Sequence, residues 1–258
     1  MMSGHCSSLV ISMSSDLTHT HNQDHAYVLH SRAYQNTSLI VEIFAREHGR
    51  MSLVAKGAKR ASSPYQGILQ PFVPLFISWG GRSEMKTLYK AENLSRPLKL
   101  SGDRVYTGFY LNELIMYLLH KHEAHISLFD RYHLCLDELQ QSQDIELVLR
   151  YFELDLLEEL GYGISLEQDL HTGSAVTPGQ LYEYNMEMGV LPLVGDNPAS
   201  LQISGDTLIA LSHRDLTTPK QKHEAKLLLR TILDYHLEGR PLKTRELFLK
   251  KKNFSLSH

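Results

Sequence analysis

Three cations crowd one short stretch of this chain. Lys56, Lys59 and Arg60 lie within Ala-Lys-Gly-Ala-Lys-Arg at residues 55–60. Clustered Lys and Arg neutralise phosphates and release their counterions, which gives affinity for nucleic acid without sequence preference. Gly57, at the centre, has no Cβ to keep a ligand away from the backbone. Arg32, Arg46, Arg50, Arg82 and Lys86 surround this stretch in sequence, and Lys243 and Arg245 precede a run of three lysines at 250–252. All are candidate phosphate contacts; the alternative is a solvated, Lys-rich hairpin end and a solvated terminal segment. Tyr34, Tyr65, Phe72 and Trp79 lie among the first group and could stack on bases or fill a core.

The elements that must position these cations follow from hydrophobic period. Residues 38–45 and 51–55 are β-rich runs around Glu47-His48-Gly49-Arg50, with Gly49 available for a positive φ. A short strand at 27–30, a run at 69–79 and another at 85–89 complete about five antiparallel strands, and Gly80-Gly81-Arg82-Ser83 reads as a hairpin connection. Pro71 and Pro74 call for an edge or a bulge, since proline cannot donate to a ladder. This pattern predicts an OB-type barrel over residues 25–97, with an SH3-like barrel as the alternative. Beyond Pro97 the period becomes helical at 105–119, at 145–160 with Gly161 as its stop, and at 219–237 behind Thr218-Pro219-Lys220-Gln221, a capping box with proline at its first position. The fold class is therefore α+β: an N-terminal five-stranded barrel, then a helical domain over 98–258 with a small irregular β-containing insertion. Residues 1–24, rich in Ser, Thr and His, read as a disordered tail.

Charge is uneven along the chain. The net formal charge of the 258 residues is only −3. Yet residues 24–104 hold 12 Lys/Arg against 6 Asp/Glu, residues 130–170 hold 2 against 11, and residues 219–252 hold 10 against 4. Basic contact surfaces on an acidic body fit that distribution. An apolar content of 42% suffices for a core. Two cysteines, Cys6 and Cys135, give no disulfide framework and no Cys-based metal site, which suits a reducing compartment. No apolar run is long enough to span a membrane.

Other chemistries find little support. His120, His122 and His125 are candidate metal ligands, and on a helix only His122 and His125 share a face. There is no phosphate-binding Gly-Lys-Ser/Thr loop and no nucleophile elbow. Glu158 and Glu159 are adjacent on a helix and diverge, so they do not form a catalytic carboxylate pair. No cofactor and no enzymatic activity are expected. An arginine at 150, on a mostly apolar helix, needs a carboxylate: an intrachain one such as Glu146 or Glu153, or one brought by a ligand.

Five blocks carry a resemblance. AYVLHSRAYQNTSLIVEIFAREHGRMSLVAKGAKR (26–60), LQPFVPLFISWGGRSEMKTLYKAE (69–92), GFYLNELIMYLL (108–119), LRYFELDLLEELGYG (149–163) and PLKTREL (241–247) follow one another as in the RecO family of bacterial recombination mediators, which the chain resembles from about residue 26 to 249. The resemblance implies a barrel that binds single- and double-stranded DNA and helps dock RecR, strand annealing, and loading of the RecA recombinase on coated strands. It implies that Arg150 receives the acidic tail of the single-strand-binding protein SSB, and that the protein works in the cytoplasm at the nucleoid. Many members carry a four-cysteine zinc site after the helix ending in Gly-Tyr-Gly. Here residues 164–169 hold no cysteine, so residues 164–215 form a degenerate version whose fold must rest on packing. The rival function is a barrel binding RNA or protein with the helical half as scaffold. A hydrolase hidden in the acidic helices is a third.

Overall fold

The computed structural model describes residues 22–83, 85–195 and 201–255, with side chains up to residue 250. The expected tail lies outside the described residues up to residue 21. Asn22 to Asp24 belong instead to the first strand, which is far longer than 27–30.

Five strands close the N-terminal barrel: β1 (Asn22–Tyr34), β2 (Ser38–Ala45), β3 (Gly49–Ala55), β4 (Leu75–Gly80) and β5 (Lys86–Asn93), in the order β1-β2-β3-β5-β4 with β4 pairing back to β1. All pairs are antiparallel except β3 with β5. This is the OB topology. The β2–β3 hairpin is in register from Leu39↔Ala55 to Ala45↔Gly49, and Gly49 has the positive φ of 66° that its turn requires. The prolines keep residues 71–74 out of β4, which starts only at Leu75. Val41, Leu53, Leu75, Ile77 and Trp79 fill the barrel.

The helical part comprises α1 (Asp103–Leu118), α2 (Ile126–Gln141), α3 (Ile145–Glu159), α4 (Gly205–Ser212), α5 (Pro219–His236) and α6 (Lys243–Ser255). A three-stranded sheet in the order β7-β6-β8, from β6 (Leu181–Asn185), β7 (Gly189–Pro192) and β8 (Gln202–Ser204), is inserted before α4. The α5 capping box forms as its sequence demands: Thr218 accepts from the Gln221 N–H, and the Gln221 side chain accepts from the Thr218 N–H. Gly161, at φ 77°, ends the α3 turn.

Barrel and helices share one core. Tyr27, Leu29, Phe44 and Phe72 leave the barrel to pack with Leu111, Phe129 and Tyr132. Asn112 donates to the Leu29 carbonyl (2.9 Å) and accepts from the Tyr132 hydroxyl (2.5 Å). Phe72, held at φ 66°, lies so close to α1 that a Cβ on Gly108 would come within 2.7 Å of its ring.

Candidate nucleic-acid interface and a basic cavity

The barrel has a covered end and an open end. At the covered end, Arg46 forms a two-pronged pair with Asp130 of α2 (2.8 and 2.7 Å) and a third bond to Glu47 (2.6 Å). Arg50 donates to the Leu119 carbonyl (3.2 Å) at the end of α1 and lies 3.9 Å from Glu42. Burial pulls its pKa down, against the pull of Glu42. Lys121 reaches back to Ser52 (2.6 Å), and the His122 N–H donates to the Arg50 carbonyl (2.9 Å). Gly49 is pressed against α1–α2: a Cβ there would stand 1.8 Å from the Glu123 carbonyl oxygen. So two of the sequence-predicted phosphate contacts are engaged in holding the helices to the barrel.

The open end carries Arg32, Lys56, Lys59 and Arg60. Residues 55–60 form a turn in which Gly57 adopts φ 70° and the Arg60 N–H closes onto the Gly57 carbonyl (3.0 Å). The Lys59 N–H donates to the Thr37 carbonyl (2.9 Å), which ties this turn to the β1–β2 connection. Arg32, Lys56, Lys59 and Arg60 are exposed, and none is ion-paired among the described residues. Arg32 lies across from Ile40, which in turn faces Val54, so strand register brings it toward the same end. Arg82 lies on the β4–β5 connection, and Lys86 begins β5 beside Leu53 of β3 and donates to the Gly81 carbonyl (3.1 Å).

Of the four aromatics read as possible stacking platforms, Tyr65, Phe72 and Trp79 are buried and only Tyr34 is half-exposed. The exposed aromatic on the barrel is Tyr89, which sequence reading passed over although it lies between Lys86 and Lys90.

The second site is a cavity of about 640 Å³ between α1, α3, α5 and α6. Its apolar lining is Ile145, Leu149, Phe248 and Leu249, and four cations, Arg150, Lys226, Arg230 and Arg245, stand among three carboxylates, Asp103, Glu146 and Glu153. Arg150 is 5% exposed and is bonded to Glu153 (2.8 Å), the intrachain acid considered from sequence. Tyr110 donates to the same carboxylate oxygen (2.8 Å). Burial pushes the Glu153 pKa up, while Arg150 and Tyr110 hold it down. The Arg150 Nε and the second Glu153 oxygen have no hydrogen-bond partner. Lys226 and Arg230 are about half exposed at their side chains and pair with Glu146 (2.9 Å) and Asp234 (3.6 Å), of which Glu146 also lines the cavity. Arg245 is bonded to Asp234 and to the Tyr110 hydroxyl (3.3 Å), so it helps build the wall. Lys243 begins α6, where its N–H and that of Thr244 donate to Glu113 (2.9 and 3.0 Å).

The histidine stretch is not a helix. Residues 120–125 connect α1 to α2, with His122 at φ 64°, and His125 bonds Glu159 (3.1 Å). Among the described residues no three His, Cys, Asp or Glu side chains are grouped to hold a metal. In the cysteine-free region a hydrogen-bonded turn supports the packing: Asp169 accepts from the His171 N–H (2.8 Å) and the Thr172 hydroxyl (2.6 Å), and Leu166 and Val176 are buried on either side. Those bonds, led by Thr172, hold the Asp169 pKa below its ordinary value. Cys135 is buried within the core, and burial raises its thiol pKa, which leaves it unreactive. Among the described residues no helix is long and apolar enough to cross a membrane.

An OB barrel with an open basic end, fused through a common core to a helical body with a basic, apolar cavity, defines a class of two-part binding proteins. The chain belongs to the recombination protein O (RecO) family: the family profile for "Recombination protein O N terminal" matches residues 19–96, and that for "Recombination protein O C terminal" matches residues 100–246. It is 44% identical to the "DNA repair protein RecO" of Methylococcus capsulatus, over 87% of this chain and 92% of that one. It is 43% identical to the protein of the same name from Nitrosospira multiformis (86% and 92% covered) and 40% identical to that of Aliivibrio salmonicida (86% and 93%).

Proposed function

We propose that this protein is a DNA-binding recombination mediator in DNA repair, a reading supported by its membership of the recombination protein O family and by relatives named DNA repair protein RecO. It binds single- and double-stranded DNA at the open end of the barrel and anneals complementary strands. It is brought to coated strands by the acidic tail of SSB, and together with RecR it helps load RecA. No covalent chemistry is needed: two phosphate backbones neutralised on one protein lose the repulsion that keeps their bases apart. The setting is the cytoplasm, at the nucleoid.

The observation that carries this reading is the division of the barrel's cations. Arg46 and Arg50 are engaged at the covered end, whereas Lys56, Lys59 and Arg60 around one turn, and Arg32 on β1 toward the same end, are exposed and have no ion-pair partner among the described residues. Exposed cations without carboxylate partners are what a phosphate backbone can use. Arg82 and Lys86 extend the path along the barrel wall. Lys243 and Arg245 contribute to the fold of α6, and the exposed Lys250 lies further along the same helix. In the cavity, an apolar side chain of the tail would rest on Leu149 and Phe248 while its carboxylates meet Lys226 and Arg230 at the rim, with Arg150 beneath.

Titrating the protein with labelled single-stranded oligonucleotide at several salt concentrations tests the DNA half of this proposal. The expected result is binding that weakens steeply with salt, with the log–log slope smaller by about one for each of Lys56, Lys59 and Arg60 replaced by Ala. Weak, salt-insensitive binding would turn the barrel toward RNA or protein partners.

A further inference from the structure

Strand register sets one aromatic among the cations of the open end. Leu39, Val41 and Ile43 of β2 pack into the barrel core, so Ser38 and Ile40 alternate to the outer face. Across the β1–β2 ladder Tyr34 pairs with Ser38 and Arg32 with Ile40, which puts Tyr34 and Arg32 on that same outer face. On the other side of β2, Leu39 pairs with Ala55, which brings Ser38 alongside Lys56, the next residue. Tyr34, the small Ser38 and Lys56 thus form a row across the end of the sheet, about 10 Å from first to last at the usual strand spacing. Two features fix this tip of the barrel. Gln35 holds φ 50°, a region that side-chain-bearing residues seldom occupy, and the Lys59 N–H donates to the Thr37 carbonyl (2.9 Å). The other three aromatics of this half that sequence singles out each have a seat: the Tyr65 hydroxyl on the Leu88 and Tyr89 carbonyls, the Phe72 ring against Phe109, and the Trp79 ring against His48. Tyr34 is partly exposed, and among the described residues its side chain makes no hydrogen bond and no ring contact.

We propose that Tyr34 is a stacking platform for an unpaired base of single-stranded DNA, with Arg32, Lys56 and Lys59 holding the phosphates beside it. This rests on the DNA-binding reading above and adds to it a basis for preferring single strands. Every base has a π-face, but inside a duplex that face is covered by its neighbours. Phosphates are open to cations in both forms, whereas a stacking contact rewards only the strand with free bases.

The test measures affinities for an oligothymidine, an abasic strand of the same length, and a duplex, at matched salt. The proteins are wild type, Tyr34→Ala, Tyr34→Leu and Tyr34→Phe, each shown to be folded by its melting curve. Tyr34→Leu keeps an apolar side chain at this position without a ring, so it carries the test if the Ala variant does not fold. The Ala and Leu variants are expected to bind oligothymidine about tenfold more weakly. On the abasic strand and the duplex they should equal wild type, with an unchanged salt slope, because their phosphate contacts are intact. Tyr34→Phe should bind all three like wild type. Ala and Leu variants equal to wild type on oligothymidine would overturn the stacking assignment. So would a loss of the same size on the abasic strand or the duplex, or a Phe variant as weak as the Leu variant. In each of these cases salt-sensitive binding by the wild type would leave the DNA-binding proposal standing. Failure of the wild type to bind any DNA at low salt would instead overturn that underlying proposal.

Discussion

Arg150 and Glu153 show how one pair constrains a site. Both are buried, and each keeps one polar atom without a partner. Removing one member of such a pair leaves an uncompensated buried charge, so Arg150→Ala is expected to cost about 3 kcal/mol of stability in chemical denaturation. A loss of tail binding in that variant would thus mix two causes. Lys226→Ala and Arg230→Ala separate them: in peptide-binding titrations each should weaken an acidic, Phe-ending peptide by roughly three- to tenfold with an unchanged melting temperature, since their exposed intrachain pairs contribute little to stability. Unchanged peptide affinity in both would remove the peptide from this cavity. Gly49 is the other decisive residue. It combines φ 66° with a backbone contact that leaves no room for a Cβ. Gly49→Ala should therefore lose about 3 kcal/mol or more, read as a large drop in melting temperature. A near-wild-type melt would mean that the β2–β3 turn and the α1–α2 connection are not packed as described.

At the scale of elements, sequence patterns reveal whatever is set by neighbours in the chain. The β2–β3 hairpin was legible because Gly49 stands between two alternating runs. The α5 start was legible because Thr218, Pro219 and Gln221 are adjacent letters of one cap. The helix α2 was not, because the histidine-rich stretch before it hides its start and its apolar residues are interleaved with Asp, Arg and Glu. Most of these find partners only in three dimensions: Arg131 with Asp155 (2.7 Å), Asp130 with Arg46. The cavity was legible only at Arg150, since α6 supplies a wall from a hundred residues away. The one-residue shift between β4 and β5, from Ser78↔Lys90 to Trp79↔Leu88, could not be read at all, because a slip between strands is a property of their pairing. The start of α3 has a pH signature. Asp144 is held below its ordinary pKa of 3.8 first by the Lys222 ammonium (2.5 Å) and then by the Leu147 N–H, which it caps. A depressed folded pKa contributes stability that is complete above the unfolded value and is lost as pH falls through the folded one. Thermal melts from neutral pH to below about pH 4 should show an acid-side fall that is smaller in Asp144→Asn. Equal acid sensitivity in the variant would contradict the assigned bond.

The whole molecule is expected to unfold as one body, because the barrel's Tyr27, Leu29, Phe44 and Phe72 are buried in a core shared with the helices. Melting is expected as a single transition by both far-ultraviolet circular dichroism and Trp79 fluorescence, and chelator should leave its midpoint unchanged. Two separated transitions would show that the shared core does not couple the halves. The shared core bears on the proposed function: it sets the open basic end of the barrel in a fixed relation to the cavity, so on that proposal a protein held by an SSB tail would present the same surface to the strand each time. The measurement that tests this account most directly is annealing of complementary oligonucleotides coated with SSB. Rates are followed for wild type, for Lys56→Ala/Lys59→Ala/Arg60→Ala, for Lys226→Ala/Arg230→Ala, and with SSB lacking its acidic tail. The account predicts fast annealing by wild type, a loss with the barrel variant on bare and coated strands alike, and a loss with the cavity variant or tailless SSB on coated strands alone. Absence of annealing by the wild-type protein at low salt would contradict it.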